Sequence, residues 1–148
     1  MLGLGNGIAA IAVRQRPGAG GGESLGPNLV INGTFPGNDT TGYANVRNTT
    51  VTDDRLNATG STNPVADLDL DSPGVETGKT YRLTYDLVAY TVGAGARFLV
   101  GTGQSVSQTS VETHTEDIAS AGDSAVLRFS CLTGTVVSVD NITLQEVL

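Results

Sequence analysis

From Tyr81 to Leu87 the chain alternates without a break: Tyr81, Leu83, Tyr85 and Leu87 are apolar or aromatic, while Arg82, Thr84 and Asp86 are polar. A helix would scatter those residues around its circumference; a strand puts one set on a core and the other in water. A strand with one apolar face needs a second apolar layer to cover it. Val65 to Asp71 repeats the pattern, so Leu68 and Leu70 are expected to face a core while Asp67, Asp69 and Asp71 face water. Residues 28–31, closed by the turn pair Asn32–Gly33, read as a first strand. Residues 96–100, 106–116, 125–132 and 136–144 read as further strands. Residues 36–50 read as loop-rich, with Tyr43 and Val46 as anchors. Val and Thr favour strands, and Gly, Asn, Asp and Pro favour the turns between them. No apolar helical repeat is sustained after residue 24. About eight short strands predict an all-β chain, folded as a jelly-roll β-sandwich.

The front of the chain is different in kind. Residues 1–24 form a Gly-rich arm carrying Gly3, Gly5, Gly7, Gly18, Gly20, Gly21 and Gly22, and residues 25–148 form the sandwich domain. So many glycines make an independent fold of the arm entropically costly, so its order is expected to come from another chain. Leu2, Leu4, Ile8, Ile11 and Val13 would bury apolar surface on that partner, and Arg14 and Arg16 would pair with its acidic groups. Residues 14–27 read as a hinge between arm and domain. The apolar run 8–13 has no basic residue before it and is short and glycine-flanked, so neither a secretion signal nor a membrane span is expected.

Charge narrows the partners. The chain carries −7 overall; the arm holds Arg14, Arg16 and Glu23, leaving six basic against fourteen acidic groups on residues 25–148. A domain at −8 repels phosphate backbones, which argues against nucleic acid. Cys131 is the only cysteine and shares a strand face with Leu127 and Phe129, so it reads as a small buried apolar residue. His114 is the only histidine and has no cysteine cluster to complete a zinc site. Gly3-Leu4-Gly5-Asn6-Gly7 has no strand before it and no third glycine in register, so it is not a dinucleotide loop. Asp67-x-Asp69-x-Asp71 lacks the glycine and the distal Glu of a calcium loop. The pairs Asp53–Asp54 and Glu116–Asp117 read as solvated loop charge, and no nucleophile elbow is present. The chain is therefore expected not to be an enzyme.

Three segments, in order, carry a resemblance. Residues 28–35 (NLVINGTF), 78–85 (GKTYRLTY) and 139–144 (VDNITL) resemble the opening, middle and closing strands of jelly-roll carbohydrate-binding modules and galactose-binding-like domains. That resemblance implies that Asn32–Gly33 turns beside Asp140–Asn141, and it makes Asp140 a candidate ligand for a structural calcium ion. It also implies a sugar-binding face; with no Trp in the chain, Tyr43 and Tyr90 are the candidate platforms for surface glycans. The carboxylate that usually follows the Phe of the first segment is replaced by Pro36–Gly37. The arm, with its Met-Leu-Gly-Leu-Gly start, arginine pair and glycine run, resembles the N-terminal arms of tailed-phage virion proteins.

Taken together, these features predict a virion structural protein: a capsid decoration protein docking on the major capsid protein through its arm, as a homo-oligomer for which the resemblance suggests a trimer. A tail, neck or fibre component of the same particle is the first alternative. A carbohydrate-binding module reading surface glycans is the second.

Overall fold

The computed structural model describes residues 23–59 and 62–148. Ten strands form among them: β1 (Tyr43–Arg47), β2 (Thr49–Thr52), β3 (Arg55–Thr59), β4 (Val65–Asp69), β5 (Thr80–Val92), β6 (Arg97–Val100), β7 (Gly103–Gln104), β8 (Thr113–Ala119), β9 (Val126–Ser130) and β10 (Val136–Glu146). They build two five-stranded sheets, ordered β1-β4-β9-β6-β7 and β2-β3-β10-β5-β8. Every strand pair is antiparallel. The result is an all-β sandwich compatible with a jelly roll.

The alternating run is the first half of β5, the longest strand, lying between β10 and β8. Tyr81, Leu83, Tyr85 and Leu87 are all buried, and the residues between them are partly exposed. Across the sandwich they meet the inner faces of β4, β6 and β9: Ala66 and Leu68, Phe98 and Val100, Leu127 and Phe129. Aromatic contacts tie the two layers, with Tyr85 and Phe98 ring centres 4.7 Å apart and Phe98 and Phe129 5.4 Å apart. Cys131 is buried in the same core, and burial pushes its thiol up to about 12, so it packs as an apolar group.

Residues 28–31 do not form a strand. Leu29 donates to Leu144 O in the second sheet, whereas Ile31 donates to Asp69 O in the first. The segment thus crosses between sheets and pairs with the first only through one antiparallel bridge, Val30 to Leu70. Asn28 Oδ1 stabilises the crossing by accepting the N–H groups of Val30 and Leu144. The turn that follows does lie against β10, with Ile142 N donating to Gly33 O at 2.9 Å. The end of the expected hinge 14–27 is held in place, because Leu25 bridges Val147 and Gly26 N donates to Glu146 O. Residues 24–29 run along the second half of β10, whose first half pairs with β3.

Residues 36–50 hold more order than their composition implies. A 3-10 turn (Pro36–Asn38) leads into β1 and the start of β2. Asn45 and Asn48 take left-handed backbone angles, and the β1–β4 register slips between Ala44 and Arg47. Those irregularities break the two-residue period that would have revealed the strands. Val46 is about half exposed and anchors nothing, while Tyr43 packs against the core. The expected strand 106–116 is also corrected: only Gln108 bridges, to Ala96, and β8 begins at Thr113.

Candidate functional site

Leu2, Leu4, Ile8, Ile11, Val13, Arg14 and Arg16 lie outside the described residues. The point where the arm joins the sandwich is described, and it is firmly tied. Glu23 forms an ion pair with Arg82 of β5, which also holds Asp117 of β8. Leu148 N donates to Ser24 O at 2.8 Å, and Gln145 Nε2 donates to Gly26 O at 2.8 Å.

Tyr43 and Tyr90 sit on strands of opposite sheets, β1 and β5. The Tyr43 hydroxyl hydrogen-bonds to Thr49 Oγ1 at 2.9 Å, and its ring stands edge-on to Phe35. Burial raises the Tyr43 phenol above its ordinary value, against the opposing effect of the Thr49 bond. Tyr90 donates its hydroxyl to Gly93 O at 2.9 Å and leans on the core. The two rings therefore do not make a common platform.

Asp140 is at a bulge in β10, where Asn141 is left-handed and its N–H donates to Asp140 Oδ1 at 2.7 Å. Asp86 lies opposite on β5, accepting from Thr113 Oγ1 and from Asn141 Nδ2. Among the described residues no group of three or more His, Cys, Asp or Glu side chains is placed to hold a metal ion. His114 and its neighbours are tied into the strand network. The imidazole Nε2 lies 2.8 Å from Ser110 O and its ring packs on Tyr85. Glu116 and Asp117 are on β8 rather than in a loop. Glu116 accepts from Val106 N and Gln108 Nε2, and Asp117 from Arg82.

The most developed polar arrangement is one that the alternating pattern concealed. Asp67 points outward from the first sheet, as its place in the sequence predicts, yet it is buried rather than wet. Register places it opposite Arg128 of β9. Arg128 Nε donates to Asp67 Oδ1 at 2.6 Å and Nη2 to Oδ2 at 2.8 Å, a two-pronged pair. Asn45 Nδ2, carried on the β1 bulge, closes over the same carboxylate at 2.9 Å. A cleft of about 250 Å³ opens beside this cluster, lined by Asn45, Arg47, Val65 and Arg128. A smaller one of about 120 Å³ flanks Arg128 on its other side, between Leu99, Gly101, Ser124 and Val126. No alternation rule reports which residue a strand neighbour will supply, so sequence offered no signal for this cluster.

The bonds from Arg128 hold the Asp67 carboxyl below the usual carboxylate range, more than burial raises it, and Asn45 adds to the effect. A depressed folded value stabilises above the unfolded value near 3.9, and that stability is lost as pH falls through the folded one. Asp67→Asn is therefore expected to cost about 2 kcal/mol at pH 7, with the gap to the parent shrinking below pH 4. Denaturant titrations at pH 7 and pH 3 check this, and a pH-independent gap contradicts it.

A scan of the chain against protein-family models finds no match, and neither does a search of curated proteins.

Proposed function

We propose that this chain is a non-enzymatic structural protein of an assembly, specifically a decoration protein of a tailed-phage shell that docks through residues 1–24. The observation that carries the reading is the root of the arm. Glu23 to Leu29 are fastened to Arg82 and along β10, and β10 pairs with β5 over most of its length. A load on the leader passes into the central strands of the second sheet rather than into a loose loop. That coupling suits a leader used as an anchor, and the apolar residues Leu2, Leu4, Ile8, Ile11 and Val13 give it a surface to bury. A tail or neck position uses the same anchor, and copy number per particle separates the two. The glycan-reading alternative is weaker on this geometry, since no aromatic ring lines either cleft beside Arg128.

Deleting residues 2–16 tests the proposal in cells that assemble the particle. The shortened chain is expected to keep its fold, because it retains the buried cluster from Leu29 to Leu144 that both sheets enclose. It is also expected to be missing from purified particles. Incorporation at the level of the full chain would overturn the proposal.

A further inference from the structure

We propose that the outer face of the first sheet is a docking site for carboxylates presented by an acidic segment of a partner protein. Register lays the face out. Arg47 is opposite Val65, Val65 opposite Ser130, and Ser130 opposite Arg97. Two arginines thus end one row across four strands, about 14 Å apart at ordinary strand spacing. Arg128, two residues from Ser130 on β9, stands on the same face in the next row, and the larger cleft lies between Arg47 and Arg128.

The balance of charge singles this face out. Beside the second sheet Lys79, in the turn before β5, is paired with Glu76 and Glu146, and Arg82 of β5 with Glu23 and Asp117. On the first sheet Asp67 occupies only Nε and Nη2 of Arg128, whose side chain stays 43% exposed. A guanidinium carries five N–H donors, so three remain for a ligand. Arg47 bonds through Nε to a backbone carbonyl, that of Asn63, and forms no ion pair among the described residues. Arg97 forms none among them either, and its Nε is enclosed without an acceptor. Against Asp67 and Asp69 of β4, this face carries Arg47, Arg97 and Arg128, so a domain at −8 leaves it one positive charge in excess, with Arg55 on β3 of the second sheet the other cation without an ion pair among the described residues.

Three features favour carboxylates on a polypeptide. The cleft has no ring on which a sugar or base would stack. The acidic remainder of the domain opposes an extended polyphosphate, while a short acidic cluster feels chiefly the arginines within a Debye length of about 8 Å. A single guanidinium grips a carboxylate through two parallel N–H groups, so separated arginines suit the separate carboxylates of an acidic segment. The face is also separate from residues 24–29, which run along the second sheet.

The test is a titration of the full chain with acetyl-Glu-Glu-Glu-amide, followed by amide NMR shifts in 0.15 M salt. Shifts are expected at Arg47, Val65, Arg97, Arg128 and Ser130, and not with acetyl-Gln-Gln-Gln-amide. The double variant R47Q/R97Q is expected to weaken binding about tenfold while melting like the parent, and R55Q to leave it within about twofold. Shifts centred on Lys79 or Arg55, equal shifts with the glutamine peptide, or equal losses in R55Q and R47Q/R97Q would overturn the proposal.

Discussion

Gly33→Ala should destabilise the sandwich by about 3–4 kcal/mol, a large effect for a turn residue. A Cβ on Gly33 would stand 2.0 Å from Ile142 O and 3.2 Å from Val30 Cγ1. Neither can withdraw easily. Ile142 is buried in β10, and its N–H is already bonded to Gly33 O. Relief requires separating the turn from β10, which breaks that bond and disturbs the crossing segment that holds Leu29 and Val30 in the core. The melting temperature should fall by about 10 °C. Gly122→Ala is the control, since its Cβ would meet only Thr102 Cγ2 at an ordinary 3.5 Å. Scanning calorimetry of the two variants decides it: a Gly33 variant that melts with the Gly122 variant would mean that the turn is not fixed against β10.

The Asn32–Gly33 turn also shows how far sequence carries the fold. Its place beside Asp140–Asn141 was legible through three ordered segments, and β10 does lie there. The face pattern of β5 was legible because that strand is sandwiched on both sides and covered inside, so burial obeys the two-residue period. β1 and β2 were not, because left-handed Asn45 and Asn48 interrupt the period at the points where it would be counted. Residues 28–31 failed for another reason: their composition is that of a strand, but they cross between the two sheets.

The site was less legible than the fold. Alternation assigns a residue to a face, and it assigned Asp67 correctly to the outer one. It says nothing about what stands opposite. Arg128 lies 61 residues away, and only the β4–β9 register brings its guanidinium onto Asp67. Asn45 reaches the same carboxylate because a bulge displaces it. Tyr43 and Tyr90 were named for their chemistry as stackable rings, and the same dependence on register and side-chain packing places them on opposite sheets, each bonded locally.

Phe98→Ala is expected to cost about 4 kcal/mol. Phe98 is wholly buried on β6 of the first sheet and touches Tyr85 of the second sheet and Phe129 of its own. Removing the ring takes away its transfer free energy and both aromatic contacts, and leaves a void walled by side chains, Tyr85 and Phe129 among them, that are fixed to strands of two sheets. Strands cannot collapse into such a gap without shifting a whole ladder, so relaxation recovers little of the loss. The contrast is Val106→Ala, at a side chain two-thirds exposed, where a change within about 0.5 kcal/mol is expected. Urea titrations should show the Phe98 variant unfolding at a much lower midpoint with an unchanged slope, since the surface exposed on unfolding is nearly the same. If the two variants cost alike, the free energy of the sandwich would have to lie in its strand ladders rather than in the aromatic contact between its layers. The strict alternation of β5 would then record solubility instead of a buried inter-sheet core.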